Sequence, residues 1–200
     1  RSEYLIQMGN TQEITNLCYS LAILDYASGI HEALFRRFWN CAMDFDWKGV
    51  EKQGRMQMLQ ALVMVANKIT MEIPPEWFDA SEPWHVDMLE SFSQKEMSDL
   101  LVELGFVQIV VEASPFHLTD SETHVVLPRL LAIDAACLED KIAFEFDGPW
   151  HFLHRLGPWR MPEIENGPTK AKRRFLQELG WTVVNIRYNE WALTETKESK

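Results

Sequence analysis

Two carboxylates stand two residues apart in an otherwise apolar stretch, Glu145 and Asp147 in IAFEFDG. Alternate residues of a β-strand point to the same face, so we expect both side chains on one face of a strand. Asp134 lies in a second strand-like stretch, AIDAACL, and reaches that face if the two stretches pair as a hairpin through Glu139 and Asp140. Three clustered carboxylates allow two interpretations. They are magnesium ligands for phosphodiester cleavage, or they hydrogen-bond to the backbone or to arginines and hold the fold.

A second group of residues has the composition of an RNA-binding surface. Four cations cluster near the start of a predicted helix, where free backbone N–H groups favour anions. They are Lys170, Lys172, Arg173 and Arg174. The Gly/Pro-rich stretch before the helix adds basic and aromatic side chains, namely Trp150, His151, Arg155, Trp159 and Arg160. Cations bind phosphates and rings stack on splayed bases, which favours single-stranded or irregular RNA over the alternative of a merely solvated helix face.

The elements that must position these residues follow an α/β pattern. Residues 130–137, 142–146 and 181–187 are rich in β-branched and aromatic residues, and we predict them as strands. A helix between the last two strands begins at a cap, Asn166 or Thr169, and ends before Gly180. A short last element contains Glu190 and Trp191, and Trp181 and Trp191 are expected in the core. Two strands followed by a helix and a strand predict a small α/β domain.

The first half of the chain has helical periodicity instead. Asn10 and Glu13 have capping-box spacing before a run of apolar residues, and further helical runs follow Gly29 and Gly49. Two short helices are predicted before Gly105. The polar stretch from Pro115 to Pro128 then separates the two halves. We expect an α-helical hairpin array, with a plain helical bundle as the alternative.

Composition and charge restrict the function classes. The chain has 200 residues, 46% hydrophobic and 24% charged, which is typical of a globular protein, and no apolar run is long enough for a transmembrane helix. Its three cysteines lack zinc-ligand spacing and are expected to be buried thiols. The sequence starts at Arg1 without a Met or a signal peptide, so we expect a processed form or a piece of a longer protein.

The net charge of −11 is distributed unevenly along the chain. Residues 1–118 carry 8 Lys/Arg against 17 Asp/Glu, whereas residues 119–200 carry 11 against 13. The acidic half should repel RNA and is expected to face protein, so the basic cluster is the local exception.

The run from Ile133 to Phe152, IDAACLEDKIAFEFDGPWHF, and the later run NGPTKAKRRFLQELGWTVVNIRYNEW resemble the RAP domain, an RNA-binding module abundant in apicomplexans. The family pattern is an Asp, then IAxExDGxxHF, a Lys/Arg helix and LGWxVxxVxxxEW. The matching residues are Asp134, Ile142, Ala143, Glu145, Asp147, Gly148, Pro149, His151, Phe152, Gly167, Thr169, Lys172, Arg173, Leu176, Leu179, Gly180, Trp181, Val183, Glu190 and Trp191.

The resemblance implies a reduced restriction-endonuclease-like fold, of the very-short-patch-repair kind, behind a heptatricopeptide- or octotricopeptide-like helical array. Such nucleases use an Asp on one strand and an acid-x-Lys on the next, with magnesium. Asp134 and Glu145 occupy the acid positions, but Asp147 stands where the Lys belongs. An Asp cannot supply the positive charge that a Lys gives to a developing oxyanion, which weakens the nuclease interpretation.

We therefore expect an α plus α/β protein, with a helical hairpin region over residues 1–115 and a RAP domain over residues 116–200. The implied function is organellar RNA binding, on mitochondrial ribosomal RNA as a mitoribosome subunit or as a ribosome assembly or RNA stability factor. The plastid is the alternative compartment. The expected partners are RNA and other proteins of a ribonucleoprotein assembly, without a membrane, metal or cofactor. Two rival functions are a magnesium-dependent RNA endonuclease using Asp134, Glu145 and Asp147, and a protein–protein scaffold.

Overall fold

A computed structural model describes residues 9–27, 29–65, 68–69, 71, 74, 92–115, 131–153 and 164–193. Contacts divide the chain into two compact units, one holding the first three helices and the other holding a four-stranded sheet with its helices. Helices followed by a small mixed sheet confirm the predicted α plus α/β class. None of the helices in the described ranges is long and apolar enough to cross a membrane.

The first unit contains α1 (Thr11–Ile23), α2 (Glu32–Met43) and α3 (Lys52–Val65). The predicted capping box begins α1. The Asn10 side chain accepts the Glu13 backbone N–H at 2.9 Å, and the Glu13 carboxylate accepts the Asn10 N–H at 3.0 Å. α1 packs on both other helices. Whether these helices form a hairpin array stays a prediction.

The second unit is built around one sheet. Its elements are α4 (Phe92–Glu103), β1 (Ile109–Ala113), β2 (Ile133–Cys137), β3 (Ile142–Asp147), α5 (Gly167–Glu178), β4 (Thr182–Arg187) and α6 (Tyr188–Leu193). The strand order is β1-β2-β3-β4. β1, β2 and β3 pair antiparallel, whereas β4 pairs parallel to β3. Parallel neighbours need a crossover connection, and α5 lies in it.

Helices cover both faces of the sheet. Met97 and Leu101 of α4 pack with Phe144 and Trp191 on one face. Leu176 of α5 packs with the small side chains of β2 and β3 on the other face, beside Trp181. The two tryptophans expected in the core are buried. Because side chains alternate along β3, its residues on either side of Phe144 point toward α5.

Two features differ from the sequence analysis. β1 was not predicted, and it pairs with β2 at the edge of the sheet. α4 and β1 belong to the same compact unit as the sheet, and the domain boundary expected at residue 115 stays a prediction. A five-residue strand carries little periodic signal, and its partner β2 is more than twenty residues away in the chain, as the pair Ile109↔Cys137 shows. Cys41 is only half-buried, whereas Cys18 and Cys137 are buried, and all three are free. The predicted polar stretch lies, beyond Pro115, outside the described residues.

Candidate nucleic-acid interface

The three carboxylates of the sequence motif meet on the α5 face of the sheet. β2 and β3 pair as the predicted hairpin, with Ala135 opposite Phe144, which places Asp134 beside Glu145. Glu145 pairs with Asn185 and Asp147 with Arg187 in the parallel register with β4. The carboxylates are almost out of contact with water, because Asp134, Glu145 and Asp147 retain 9%, 4% and 1% of their exposure.

Each buried carboxylate has a protein partner. The Lys172 ammonium of α5 lies 2.6 Å from Glu145 Oε2. The backbone N–H of Phe146 donates to Asp134 Oδ2 at 2.7 Å. Asp147 accepts the Asn185 amide on Oδ2 at 2.8 Å, and its Oδ1 lies 2.8 Å from His151 Nδ1. These contacts tie α5, β2, β4 and the end of β3 together, which is what the structural interpretation of the acids requires.

Burial and charge shift two pKa values in this cluster. Burial raises the pKa of Glu145 from 4.5 to about 7, although Lys172 opposes the rise, and the nearby Asp134 and Asp147 carboxylates reinforce it. The hydrogen bond from His151 to Asp147 raises the pKa of His151, against the opposing effect of burial. Glu145 and His151 therefore keep their protons to higher pH in the folded protein than in the unfolded chain.

These acids do not fit a magnesium site. In the part of the chain that the structure describes, no group of three or more His, Cys, Asp or Glu side chains is arranged to hold a metal. Both oxygens of Asp147, one of Asp134 and one of Glu145 already have protein partners. One buried oxygen, Glu145 Oε1, lacks a hydrogen-bond partner. Magnesium keeps several waters even where only one or two carboxylates bind it, whereas these carboxylates are buried and Glu145 already lies beside the Lys172 ammonium, so we assign no metal chemistry to the cluster.

Hydrogen bonds connect a tight turn after β3 to the start of α5. The turn Pro149–His151 is a single 3₁₀ turn. Asn166 begins α5 by accepting the Thr169 N–H at 3.0 Å, and it donates from Nδ2 to the Trp150 carbonyl at 2.8 Å. The Asn166 N–H donates to the His151 carbonyl at 2.8 Å, and Thr169 Oγ1 lies 3.3 Å from His151 Nδ1. Asn166 thus holds the backbone carbonyls of Trp150 and His151, and Thr169 lies beside the His151 ring.

The basic side chains of α5 differ in their availability. Lys170 is exposed. Lys172 is bound to Glu145, and Arg173 forms an ion pair with Glu165. Arg174 lies 3.9 Å from Glu178, one turn along the same helix. The predicted RNA-binding residues Arg155, Trp159 and Arg160 lie outside the described residues.

Three polar residues of this region were not among the predicted site residues. Asn185 supports Asp147, and Arg187 lies 3.7 Å from Glu165. The alternation along β4 puts Asn185 and Arg187 on one face of the strand. With the parallel register to β3 known, this alternation would have identified both as site residues. Glu165 carries no such signal, because it lies in the connection before α5.

Comparison with known proteins agrees with this architecture. Residues 144–200 match the family model of the RAP domain. The chain is 27% identical over 194 residues to "RAP domain-containing protein, chloroplastic" from Oryza sativa subsp. japonica. That alignment covers 90% of this chain but only 27% of the rice protein. No solved structure matches the chain significantly. The match to the family model begins at Phe144, so Asp134 and the first two strands precede it.

Proposed function

We propose that this chain, which carries a RAP domain, binds RNA in an organelle through the surface where β3 ends and α5 begins. One observation carries the proposal. The Trp150 side chain is 82% exposed on a turn whose backbone is fixed by Asn166. A large aromatic ring held in water on a rigid support is the arrangement on which an unpaired base stacks.

The surroundings of Trp150 supply the charge that a nucleic-acid backbone requires. Lys170 is exposed in the first turn of α5. The helix start adds partial positive charge to that side. His151, next to Trp150, is held by Asp147 through Nδ1, and its ring is partly exposed. A ring for one base with cations for the adjacent phosphates favours single-stranded RNA over a duplex, whose bases are stacked on each other.

For the compartment we propose the plastid instead of the mitochondrion. The support is the similarity to the rice protein, which is named as chloroplastic. Ribosomal RNA remains the target that we propose to test first, with the chain acting as a ribosome subunit or as an assembly or stability factor. The acidic helical half is proposed to contact the other proteins of such an assembly.

Binding of a labelled single-stranded RNA to the whole chain tests the proposal. Trp150→Ala should weaken binding by roughly 5- to 100-fold, since stacking on one aromatic ring is worth about 1–3 kcal/mol. Phe92→Ala is the matched control, because Phe92 is also an exposed aromatic side chain, 84% accessible, but lies on α4. The proposal fails if wild type does not bind, or if both variants bind as wild type does.

The same samples test the endonuclease alternative. Incubation of the RNA with magnesium should leave it intact, because the acids are buried and Glu145 lies beside the Lys172 ammonium. Magnesium-dependent cleavage that disappears in Glu145→Gln would instead make the protein an enzyme.

A further inference from the structure

Two arginines from different elements converge on one carboxylate beside the Trp150 turn. Arg173 of α5 contacts Glu165 Oε2, and Arg187 at the end of β4 lies 3.7 Å from Glu165 Oε1. The Glu165 side chain is 9% exposed, whereas those of Arg173 and Arg187 keep 28% and 38% of their exposure. The anion at the centre is therefore buried beneath two partly exposed cations.

The charges of this group do not cancel. Two guanidinium groups share one carboxylate, which leaves an excess of one positive charge in a small volume. Among the described residues, Glu165 is the only hydrogen-bond or ion-pair partner of either guanidinium. Each guanidinium carries five N–H donors, so donors that are not directed at Glu165 are left for an incoming anion.

The two guanidiniums are also held in place. The Arg187 guanidinium lies over the Phe152 ring, 5.7 Å from its centroid. Phe152 forms a β-bridge with Glu165, so the carboxylate and the ring belong to the same local unit. Arg173 projects from a helix whose Leu176 is fully buried against the sheet. Side chains that are already oriented lose less entropy when an anion binds.

We propose that Arg173 and Arg187, positioned by Glu165, form a clamp for one phosphate of the RNA backbone. The proposal rests on the RNA-binding function proposed above. The planar fork of a guanidinium matches the oxygens of a phosphate, and two forks can take both non-bridging oxygens of a phosphodiester. Glu165 is a positioning residue that acts through the two arginines.

Lys95 on α4 offers a contrast. Its ammonium lies 3.5 Å from Asp99, one cation to one carboxylate, in an ordinary i,i+4 arrangement with both side chains well exposed. This pair is neutral as a whole and lies on a different helix from Arg173, so we expect no phosphate contact there. Lys95→Gln is therefore the control for the loss of one positive charge.

The test measures affinity for a labelled single-stranded RNA between about 50 and about 200 mM salt, with the whole chain. Arg173→Gln and Arg187→Gln should each weaken binding roughly tenfold or more at low salt, and each should reduce the salt slope by about 0.7, the value for one phosphate contact on a single strand. Lys95→Gln should leave the affinity and the slope close to wild type.

The Glu165→Gln variant distinguishes a positioning role of Glu165 from a purely electrostatic effect of its charge. The substitution makes the protein more positive, so a purely electrostatic surface would bind RNA more tightly. If Glu165 positions the two arginines, the variant should instead bind RNA more weakly, by roughly threefold or more. Thermal unfolding of the variant should show that the fold persists. Tighter binding by Glu165→Gln would overturn the positioning role.

The outcomes distinguish the clamp from the proposed function. If wild type binds no RNA, the proposed function fails first. If wild type binds and the Arg173 and Arg187 variants match Lys95→Gln in affinity and slope, the clamp is wrong and the RNA binding stands. Should a Gln variant not fold, Arg187→Lys keeps the charge but loses the fork. It is then expected to weaken binding, and wild-type affinity in it would also refute the clamp.

Discussion

Replacing Glu145 by Gln should change how the stability of the protein depends on pH. Burial raises the pKa of Glu145 from 4.5 to about 7, so between these values the folded protein holds a proton that the unfolded chain has released. Below 4.5 the carboxyl is protonated in both states and makes no difference, and above about 7 its full cost is present. The free energy of unfolding should therefore fall as the pH rises through this window, and Gln removes that fall.

The size of the effect follows from the two pKa values. A rise from 4.5 to about 7 corresponds to roughly 3 kcal/mol of unfolding free energy, at about 1.4 kcal/mol per pH unit. That pKa already includes the attraction of Lys172, so the lost ion pair is not counted a second time. Exchanging a carboxyl group for an amide also changes hydrogen bonding, which affects the stability at every pH. The difference in slope between the two proteins, and not the difference at one pH, is therefore the diagnostic quantity.

Denaturant unfolding of the whole chain, from about pH 5 to about pH 8, measures this slope. Lys172→Met is the complementary variant, because the loss of the nearby ammonium should move the fall to higher pH. Arg174→Met removes a cation from the same helix without touching Glu145 and should keep the wild-type dependence. Parallel curves for wild type and Glu145→Gln would refute the reasoning.

Three further predictions concern the supports of the site. His151→Asn should remove a second part of the fall in stability with pH. Because the pKa of His151 is raised in the folded protein, the protonated ring stabilises the fold below its unfolded pKa of 6.5, and this stabilisation disappears as the pH rises through the folded pKa. Unfolding titrations over the same pH window measure the effect. Asn185→Leu leaves Asp147 Oδ2 buried without its donor and should cost about 1–3 kcal/mol in denaturant unfolding, whereas an unchanged midpoint would contradict the hydrogen bond. Leu176→Ala empties a fully buried site under α5 and should cost about 2–5 kcal/mol, and thermal unfolding close to wild type would count against this packing.

Sequence patterns predicted the elements that are determined by residues close together in the chain. The helix α5 begins at the Asn166 cap, and Gly180 follows it with a φ of 84°, a conformation that glycine adopts without strain. The alternation in IAFEFDG placed Glu145 and Asp147 on one face before any partner strand was known. These features depend only on residues a few positions apart.

What the sequence did not reveal depends on distant partners. Lys172 was predicted at a phosphate, but it binds Glu145, which lies 27 positions earlier in the chain. A basic run looks the same in sequence whether its charges face solvent or buried acids. Arg187 joins the site because β4 pairs parallel to β3, a register that no residue near Arg187 indicates.

The position of β3 inside the sheet decides which fragments of this protein can fold. The family match begins at Phe144, within β3, whereas β2 and α4 supply one edge partner and the apolar cover of that strand. A fragment restricted to the matched residues would expose a strand edge with unpaired N–H and C=O groups, which recruits other chains into aggregates. The segment shared with the family is therefore a sequence signature rather than an excisable folding unit, and expression trials should begin upstream of α4.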